Sequence, residues 1–364
     1  MQHIASPFTL PNGSILKNRI AKSAMSENFG TKYHAPSKGL IHAYKVWAKG
    51  NPGLLITGNV MVDSKALGEA RNVVVEDYKH FKELEAWAKS VEGTGVHLWP
   101  QINHPGRQAF ASINRVIVAP SAIPLKMGGA SKMFAMPTAL TEEAILDIIK
   151  RFGTTARILK EAGFTGCQIH GAHGYLIDNF FWNGTNDRDD NFGGSIESRS
   201  FLATSITKAI RDNVSNDFIV GLRFSQWKQQ DYAAKLAQSP DDLLEVLSGP
   251  CNAGLDYLHS SMRRFWESEF EGSDENLAYW TKKLMNIPTM SVGSVGLDGD
   301  FTDMMAPAKI ASIDKAVQDI NDEKYDMVAV GRALLSDHEW VIKMKEGRLE
   351  DINPYTKDSL IEMY

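Results

Sequence analysis

The stretch His170-Gly171-Ala172-His173-Gly174-Tyr175 packs two imidazoles and a phenol into one short turn, directly after the apolar run Gly166-Cys167-Gln168-Ile169. Imidazoles three residues apart can both aim N–H donors at a single oxygen atom. The phenol two residues on keeps its proton at neutral pH, since its reference pKa is ~10. Two donors and one weak acid suit a reaction in which a carbonyl oxygen gains charge while a neighbouring carbon gains a proton. A lone His-x-x-His is more often a satisfied pair capping a loop, so the rest of the chain has to decide.

Eight short apolar runs, each followed by a longer amphipathic stretch, are the pattern of a parallel sheet with crossover helices. The runs are Arg19–Ala24, Leu54–Thr57, Val96–Gln101, Gly166–Ile169, Ile219–Arg223, Tyr257–His259, Thr289–Val292 and Met327–Val330. Helices are expected over Lys38–Lys49, Tyr78–Glu92, Thr141–Ala162, Ile196–Asn213, Pro240–Ala253, Leu277–Asn286 and Ala308–Asp322. Thr141-Glu142-Glu143 and Ser239-Pro240-Asp241-Asp242 are start signals, with acids near the positive end of the helix dipole and proline in the first turn. Eight strand–helix units predict an α/β fold, a (β/α)8 TIM barrel, within a single domain over residues 1–364. Such barrels typically take ~250 residues. Most of the surplus lies in Arg107–Thr138, Asn183–Glu197 and Phe224–Pro240, loop insertions at the C-terminal face where this architecture places its active site.

Function should therefore concentrate where strands stop: Ala24-Met25-Ser26, Thr57-Gly58, Gln101, His170, Arg223, Gly293-Ser294 and Gly331-Arg332. Glycines after strands seven and eight let backbone N–H groups approach a phosphate, and Arg332 adds a fork of donors, so a phosphorylated ligand is expected there. Arg223 cannot discharge, so inside a barrel mouth it must meet an anion or an electron-rich acceptor. A flavin ring meets that need and offers carbonyl and N–H groups to Gln101. An internal ion pair of Arg223 with Glu69 or Asp63 is the structural alternative.

These blocks resemble the old yellow enzyme family, FMN-dependent ene-reductases on a (β/α)8 barrel. The resemblance runs from Pro7-Phe8-Thr9-Leu10 and Leu16-Lys17-Asn18-Arg19-Ile20 to Gly331-Arg332-Ala333-Leu334-Leu335. Its most specific parts are Gln101-Ile102-Asn103-His104-Pro105-Gly106-Arg107, the stretch 170–178, and Thr185-Asn186-x-Arg188 leading into Phe192-Gly193-Gly194-Ser195. It implies that His170 and His173 bind the carbonyl or nitro oxygen of a small-molecule substrate and that Tyr175 is the proton donor. It implies flavin contacts from Gln101, Arg223 and Gly58, with Ala24, Met25 and Ser26 beside the ring's reactive edge. Gly293, Ser294, Gly331 and Arg332 would cradle the phosphate. NADPH or NADH, as co-substrate, would reduce the FMN, which then passes hydride to the β-carbon of an activated alkene. Ser26 stands where relatives carry Thr or Cys, Ala24 where proline is common, and Asn103 where many have Trp or Ala.

Composition narrows the rest. A net charge of −5 with no basic stripe argues against nucleic acid, and no apolar run approaches the ~18 residues of a membrane span. Two cysteines, Cys167 and Cys251, allow neither a disulfide framework nor a cysteine-held iron–sulfur cluster, and no metal site is expected. No signal peptide is evident, which makes the cytoplasm the default location. Whether the chain forms a homo-oligomer stays open. The rival reading is a barrel lyase or aldolase acting on a phosphorylated substrate without flavin. Its Schiff-base form needs a lysine at a strand end, and none of the eight expected ends has one. A flavin binder without turnover is a third reading. Among the aromatics, Trp227, Tyr232 and Trp266 could line the mouth, whereas Trp280 reads as core.

Overall fold

The structure is a computed structural model describing residues 3–299 and 308–360. Its centre is a closed ring of eight parallel strands. They are β1 (Ile20–Lys22), β2 (Leu54–Met61), β3 (His97–Asn103), β4 (Gly166–His173), β5 (Ile219–Lys228), β6 (Tyr257–Ser261), β7 (Thr289–Val292) and β8 (Met327–Val330). Each pairs with its sequence neighbours, and β8 and β2 both pair with β1, which closes the barrel. The crossover helices are α1 (Lys38–Lys49), α2 (Phe81–Ala88), α3 (Glu142–Glu161), α5 (Ile196–Arg211), α6 (Pro240–Asn252), α7 (Leu277–Met285) and α8 (Asp314–Asn321), with a short α4 (Leu176–Phe181) after β4. This is the expected (β/α)8 TIM barrel.

Local sequence explains the helix starts. Thr141 caps α3 by accepting the Ala144 N–H at 3.2 Å, with Glu142 and Glu143 in the first turn. Ser239 and Asp242 form a reciprocal capping box at α6, with Pro240 in the position where a missing N–H costs nothing. The helix expected over Tyr78–Glu92 is shorter, α2 continuing as a tight turn over Lys89–Val91. The one expected from Ala308 begins only at Asp314.

Two apolar layers hold the barrel. Outside, helix stripes such as Leu40, Tyr44 and Trp47 of α1 pack against outward strand residues such as Leu55. Inside, Ala21, Leu54, Ile56, Trp99, Ile219, Tyr257, Met290 and Met327 fill the lower interior. The hairpin Phe8–Thr9 with Ile15–Leu16 plugs that end, burying Leu10 and Leu16 in the same cluster. Full burial of each such side chain contributes about 1.5–3 kcal/mol. Gly221 is required here: a Cβ would sit 2.0 Å from the Tyr257 ring. The upper interior is polar instead, and the active-site face begins there.

β3 and β6 end slightly past their expected limits, at Asn103 and Ser261, and three other strands run further still. β2 continues through Gly58 to Met61, β4 through His170 to His173, and β5 through Arg223 to Lys228. Gly58-Asn59, His170-Gly171 and Arg223 interrupt the three apolar runs, so the runs end before the backbone ladder does. Part of the expected insertion Phe224–Pro240 is therefore strand.

Candidate active site

The polar interior is one hydrogen-bonded network. Gln101 Nε2 donates to Asn59 Oδ1 at 2.8 Å, and Gln168 Nε2 donates to Gln101 Oε1 at 2.7 Å. Gln168 Oε1 in turn accepts from the Tyr257 hydroxyl at 3.1 Å and meets His259 Nδ1 at 2.7 Å. Adjacent strands carry these side chains in register: Asn59 opposite Gln101, Gln101 opposite Gln168, and Arg223 opposite both His170 and His259.

His170 and His173 share one strand, where residues three apart normally face opposite sides. His173 adopts a left-handed backbone, φ 64°, followed by Gly174 at 84°. That reversal turns its ring back, so His170 Nε2 and His173 Nδ1 face each other at 3.4 Å. The proton positions follow from the partners. The Arg223 guanidinium can only donate, and it gives a bond of 3.1 Å to Ser261 Oγ. Ser261 is thereby free to donate to His173 Nε2 at 2.8 Å, which leaves the His173 proton on Nδ1, directed at the shared space. His170 Nδ1 lies 3.1 Å from Asn59 Oδ1. Burial, reinforced by the positive charge of Arg223, holds both imidazoles well below their ordinary pKa, so both are neutral. The Tyr175 ring centroid lies 4.6 Å from that of His170. Its phenol is pushed up by burial first and then by the charge of Glu69, against a hydrogen bond with Asn59. A neutral pair beside a phenol that firmly keeps its proton can bind an oxygen and protonate a carbon.

Behind this turn lies a buried ion pair. Lys228 Nζ meets Asp178 Oδ1 at 2.8 Å, and neither side chain has any solvent exposure. Asp178 also accepts the Gly174 N–H, while Lys228 caps the carbonyls of Ser225 and Gln226. Trp227 stacks on His173 with centroids 4.7 Å apart. The expectation that no strand ends in lysine is corrected at two strands, β1 stopping short of Ala24 and β5 running past Arg223. Lys22 ends β1 but points outward, bonded to Glu27 and lying over Trp47, and Lys228 at the end of β5 is held by Asp178.

Arg223 makes no pair with Glu69 or Asp63. Its Nη1 donates to the Ala24 carbonyl at 3.2 Å, and its buried Nε has no partner. Burial pulls its pKa down to about 10. Asp63 instead pairs with Arg151. A buried cation with an orphaned N–H suits the electron-rich pyrimidine edge of a flavin, and Gln101 lies in the same polar layer. Met25 comes round to β8, its Sδ 3.6 Å from where a Gly331 Cβ would be. Arg332, which opens the short helix α9 (Arg332–Ser336), donates through Nη2 to the Gly299 carbonyl at 2.6 Å. Ser294 (φ 52°) donates to the carbonyls of Arg263 and Gly299. Ser294 and Arg332 thus meet at the Gly299 carbonyl, which ties the ends of strands seven and eight together. The residues present fit FMN.

Gly58 is placed differently. Its N–H donates to both carboxylate oxygens of Glu27, which also accepts the Tyr44 hydroxyl. Ser26 Oγ donates to Glu69. Asn103 is fully buried, 3.8 Å from Met61 Sδ, and does not line the mouth. Arg188, within the Thr185-Asn186-x-Arg188 motif, binds the carbonyls of Pro120 and Leu140 and so ties two insertions together. Trp280 packs edge-on against Phe270, as a core residue does, while Trp266 is 39% exposed. Sequence reasoning missed Asn59, Gln168, His259, Ser261 and the Asp178–Lys228 pair. Polar residues at every second position of apolar strands were the available signal.

A closed parallel barrel with two facing imidazoles, a phenol and a buried arginine whose Nε lacks a partner at its C-terminal mouth is an arrangement that suits the flavin-dependent oxidoreductase class. The chain belongs to the NADH:flavin oxidoreductase / NADH oxidase family, whose model matches residues 3–351. It is 32% identical to the NADH oxidase of Thermoanaerobacter brockii, over 93% of this chain and 50% of that protein. It is 30% identical to the probable NADH-dependent flavin oxidoreductase YqiG of Bacillus subtilis, over 98% of this chain and 92% of that one. An NADH-dependent flavin oxidoreductase of Hypocrea jecorina is 37% identical over 60% of this chain and 59% of its own length. The chain thus spans only half to three-fifths of two of these relatives. Among solved structures, the old yellow enzyme from Trypanosoma cruzi superposes with a TM-score of 0.82 at 22% identity, covering all of this chain and 96% of that one. The old yellow enzyme resemblance is borne out, and with it FMN as the family's cofactor.

Proposed function

We propose that this chain works as one FMN-binding domain that reduces activated alkenes, such as enones or nitroalkenes. The observation that carries the reading is the shared space between His170 Nε2 and His173 Nδ1, beside Tyr175 and above the unpaired Arg223. When bound, FMN would supply hydride transfer between NADH or NADPH and the alkene β-carbon. Gln101 and Arg223 would hold its ring, with Ala24, Met25 and Ser26 along the reactive edge and Gly293, Ser294, Gly331 and Arg332 at its phosphate, while the Gly58 N–H is taken by Glu27.

His173 Nδ1–H donates to the activating oxygen of the substrate. His170 is the second donor in the tautomer with its proton on Nε2, which requires the Asn59, Gln101 and Gln168 amides to turn together, since Gln101 Nε2 donates to Asn59 Oδ1 and Gln168 Nε2 to Gln101 Oε1. Tyr175 gives its phenolic proton to the α-carbon. Removing one donor of such an oxygen site typically costs roughly 10²–10³ in rate. The names of the relatives favour NADH as the donor. A Schiff-base lyase is disfavoured because Lys22 and Lys228, the strand-end lysines of the described barrel, are both fully buried against acids.

Anaerobic titration of the purified protein tests the reading. A yellow preparation bleached by NADH or NADPH and reoxidised by 2-cyclohexenone is expected. A colourless protein refutes flavin use, and a bleached protein that neither 2-cyclohexenone nor a nitroalkene reoxidises refutes alkene reduction.

A further inference from the structure

The side chains of Asn59, Gln101 and Gln168 bond only to groups that can either give or take a proton. Gln168 Oε1 accepts from the Tyr257 hydroxyl at 3.1 Å and from His259 Nδ1 at 2.7 Å. Gln168 Nε2 donates to Gln101 Oε1, and Gln101 Nε2 donates to Asn59 Oδ1. That last oxygen also accepts from His170 Nδ1 at 3.1 Å. The bond of Asn59 with Tyr175 goes to another hydroxyl. Among the described residues, no backbone group, carboxylate or cation is bonded to the three amides.

An amide bonded to a carbonyl or an ammonium has one direction, because those groups only accept or only donate. Hydroxyls, neutral imidazoles and other amides impose none. Burial, and then the charge of Arg223, holds His170 and His259 well below their ordinary pKa, so each ring carries one proton and has two tautomers. In the observed direction both protons sit on Nδ1, and the buried His259 Nε2 has no partner. If all three amides turn end for end, the same five bonds re-form with donor and acceptor exchanged. Each imidazole then loses a proton to water from Nδ1 and gains one from water at Nε2, with no net uptake. The flavin edge holds both carbonyl acceptors and an N–H, so Gln101 can meet it in either direction. Turning takes the Gln168 acceptor away from the Tyr257 hydroxyl proton, which makes the observed direction the resting one.

We propose that these three amides are a reversible relay through which His259 moves its proton in step with His170 when an oxygen binds between His170 and His173. This rests on the reading of His170 and His173 as the oxygen site, and it makes Gln168 and His259 positioning residues. In the resting pair, the His173 Nδ1–H faces the bare His170 Nε2 at 3.4 Å, so the two rings satisfy each other. A bound oxygen needs both as donors, which requires His170 to carry its proton on Nε2. His259, four hydrogen bonds away along the chain, must then follow. Two sites are coupled when both bias one element that has two discrete arrangements, and here the amide chain is that element.

The test uses the FMN-loaded protein with isotopically labelled histidine ring nitrogens. Long-range proton–nitrogen correlation spectra, which tell the two tautomers apart, are recorded with and without saturating 4-hydroxybenzaldehyde. His170→Asn and His259→Gln assign the two signals. Without ligand both rings should carry the proton on Nδ1, and at saturation both should carry it on Nε2. In Gln168→Met, His170 should still respond to the ligand while His259 does not. A wild-type His259 that stays unchanged while His170 shifts overturns the relay and leaves the oxygen site standing. So does a His259 that still responds in Gln168→Met, or a His170 that carries its proton on Nε2 before ligand is added. If the ligand leaves the His170 proton on Nδ1, the oxygen-site reading fails and the proposal with it. The wild-type comparison decides the matter on its own should the variant not fold.

Discussion

Replacing Lys228 by Met should loosen the catalytic turn without emptying the site. The lysine and Asp178 are both fully buried, and the pair is linked through the Gly174 N–H to the residue between His173 and Tyr175. Removing one partner of a buried pair typically costs about 3–5 kcal/mol. Part of that is avoided here, because burial has already raised Asp178 to about 6 and loss of the lysine lets it take a proton at neutral pH. A neutral Asp178 can still accept the Gly174 N–H. The expected loss is therefore about 3 kcal/mol, at the lower end of the range. The double variant Lys228→Met/Asp178→Asn should lose less than the sum of the singles by at least about 1.5 kcal/mol, since it leaves no buried charge behind. Urea unfolding of the four proteins measures the cycle, with phenol binding and single-turnover alkene reduction as functional readouts. Phenol affinity and alkene reduction should fall while FMN stays bound. Additive losses, or a single variant within about 0.5 kcal/mol of wild type, would refute the clamp.

Tyr175→Phe should slow reoxidation by an enone by roughly 10² or more while leaving reduction by NADH within about twofold in stopped flow. Equal loss in both half-reactions would remove the proton-donor role. Arg223→Met should leave the FMN-free protein as stable as wild type or more so, because a buried cation without a carboxylate partner is costly. The same change should weaken FMN binding at least about tenfold. Tighter FMN binding would contradict the ring contact. His104 is fully buried and accepts the Gly106 N–H through Nδ1, and burial lowers it from 6.5 to about 4. Between those values the unfolded chain binds the proton and the folded one does not, so stability falls as pH drops from about 6.5 to about 4. His104→Gln should remove about 1.4 kcal/mol per pH unit from that slope, read from unfolding midpoints at pH 5 and 6. A slope unchanged by the substitution would show that His104 takes its proton in the folded state.

The barrel was legible because each apolar run is a strand core, and runs of that length alternating with amphipathic stretches leave few other packings. His170, Tyr175, Gln101 and Arg223 followed from where those runs stop. What escaped depends on contacts far apart in sequence. Lys228 looked like loop because β5 becomes polar after Arg223, yet its backbone goes on pairing with β4 as far as His173. Its partner Asp178 is 50 positions away. Asn59 and Gln168 read as strand residues of no stated use, since only closure of the barrel shows that they point inward. The left-handed backbone at His173 has no sequence mark beyond the glycine that follows it. Glu69 was read as a partner for Arg223, and the loop geometry set by Asn72 sends it to Ser26 instead.

A crystal structure of the FMN-loaded protein soaked with 4-hydroxybenzaldehyde tests the account at its centre. The phenolic oxygen should lie within hydrogen-bond distance of both His170 Nε2 and His173 Nδ1, with Gln101 and Arg223 on the pyrimidine edge of the flavin. A phenol seated away from the two imidazoles, or a ring edge that Arg223 does not touch, would contradict it.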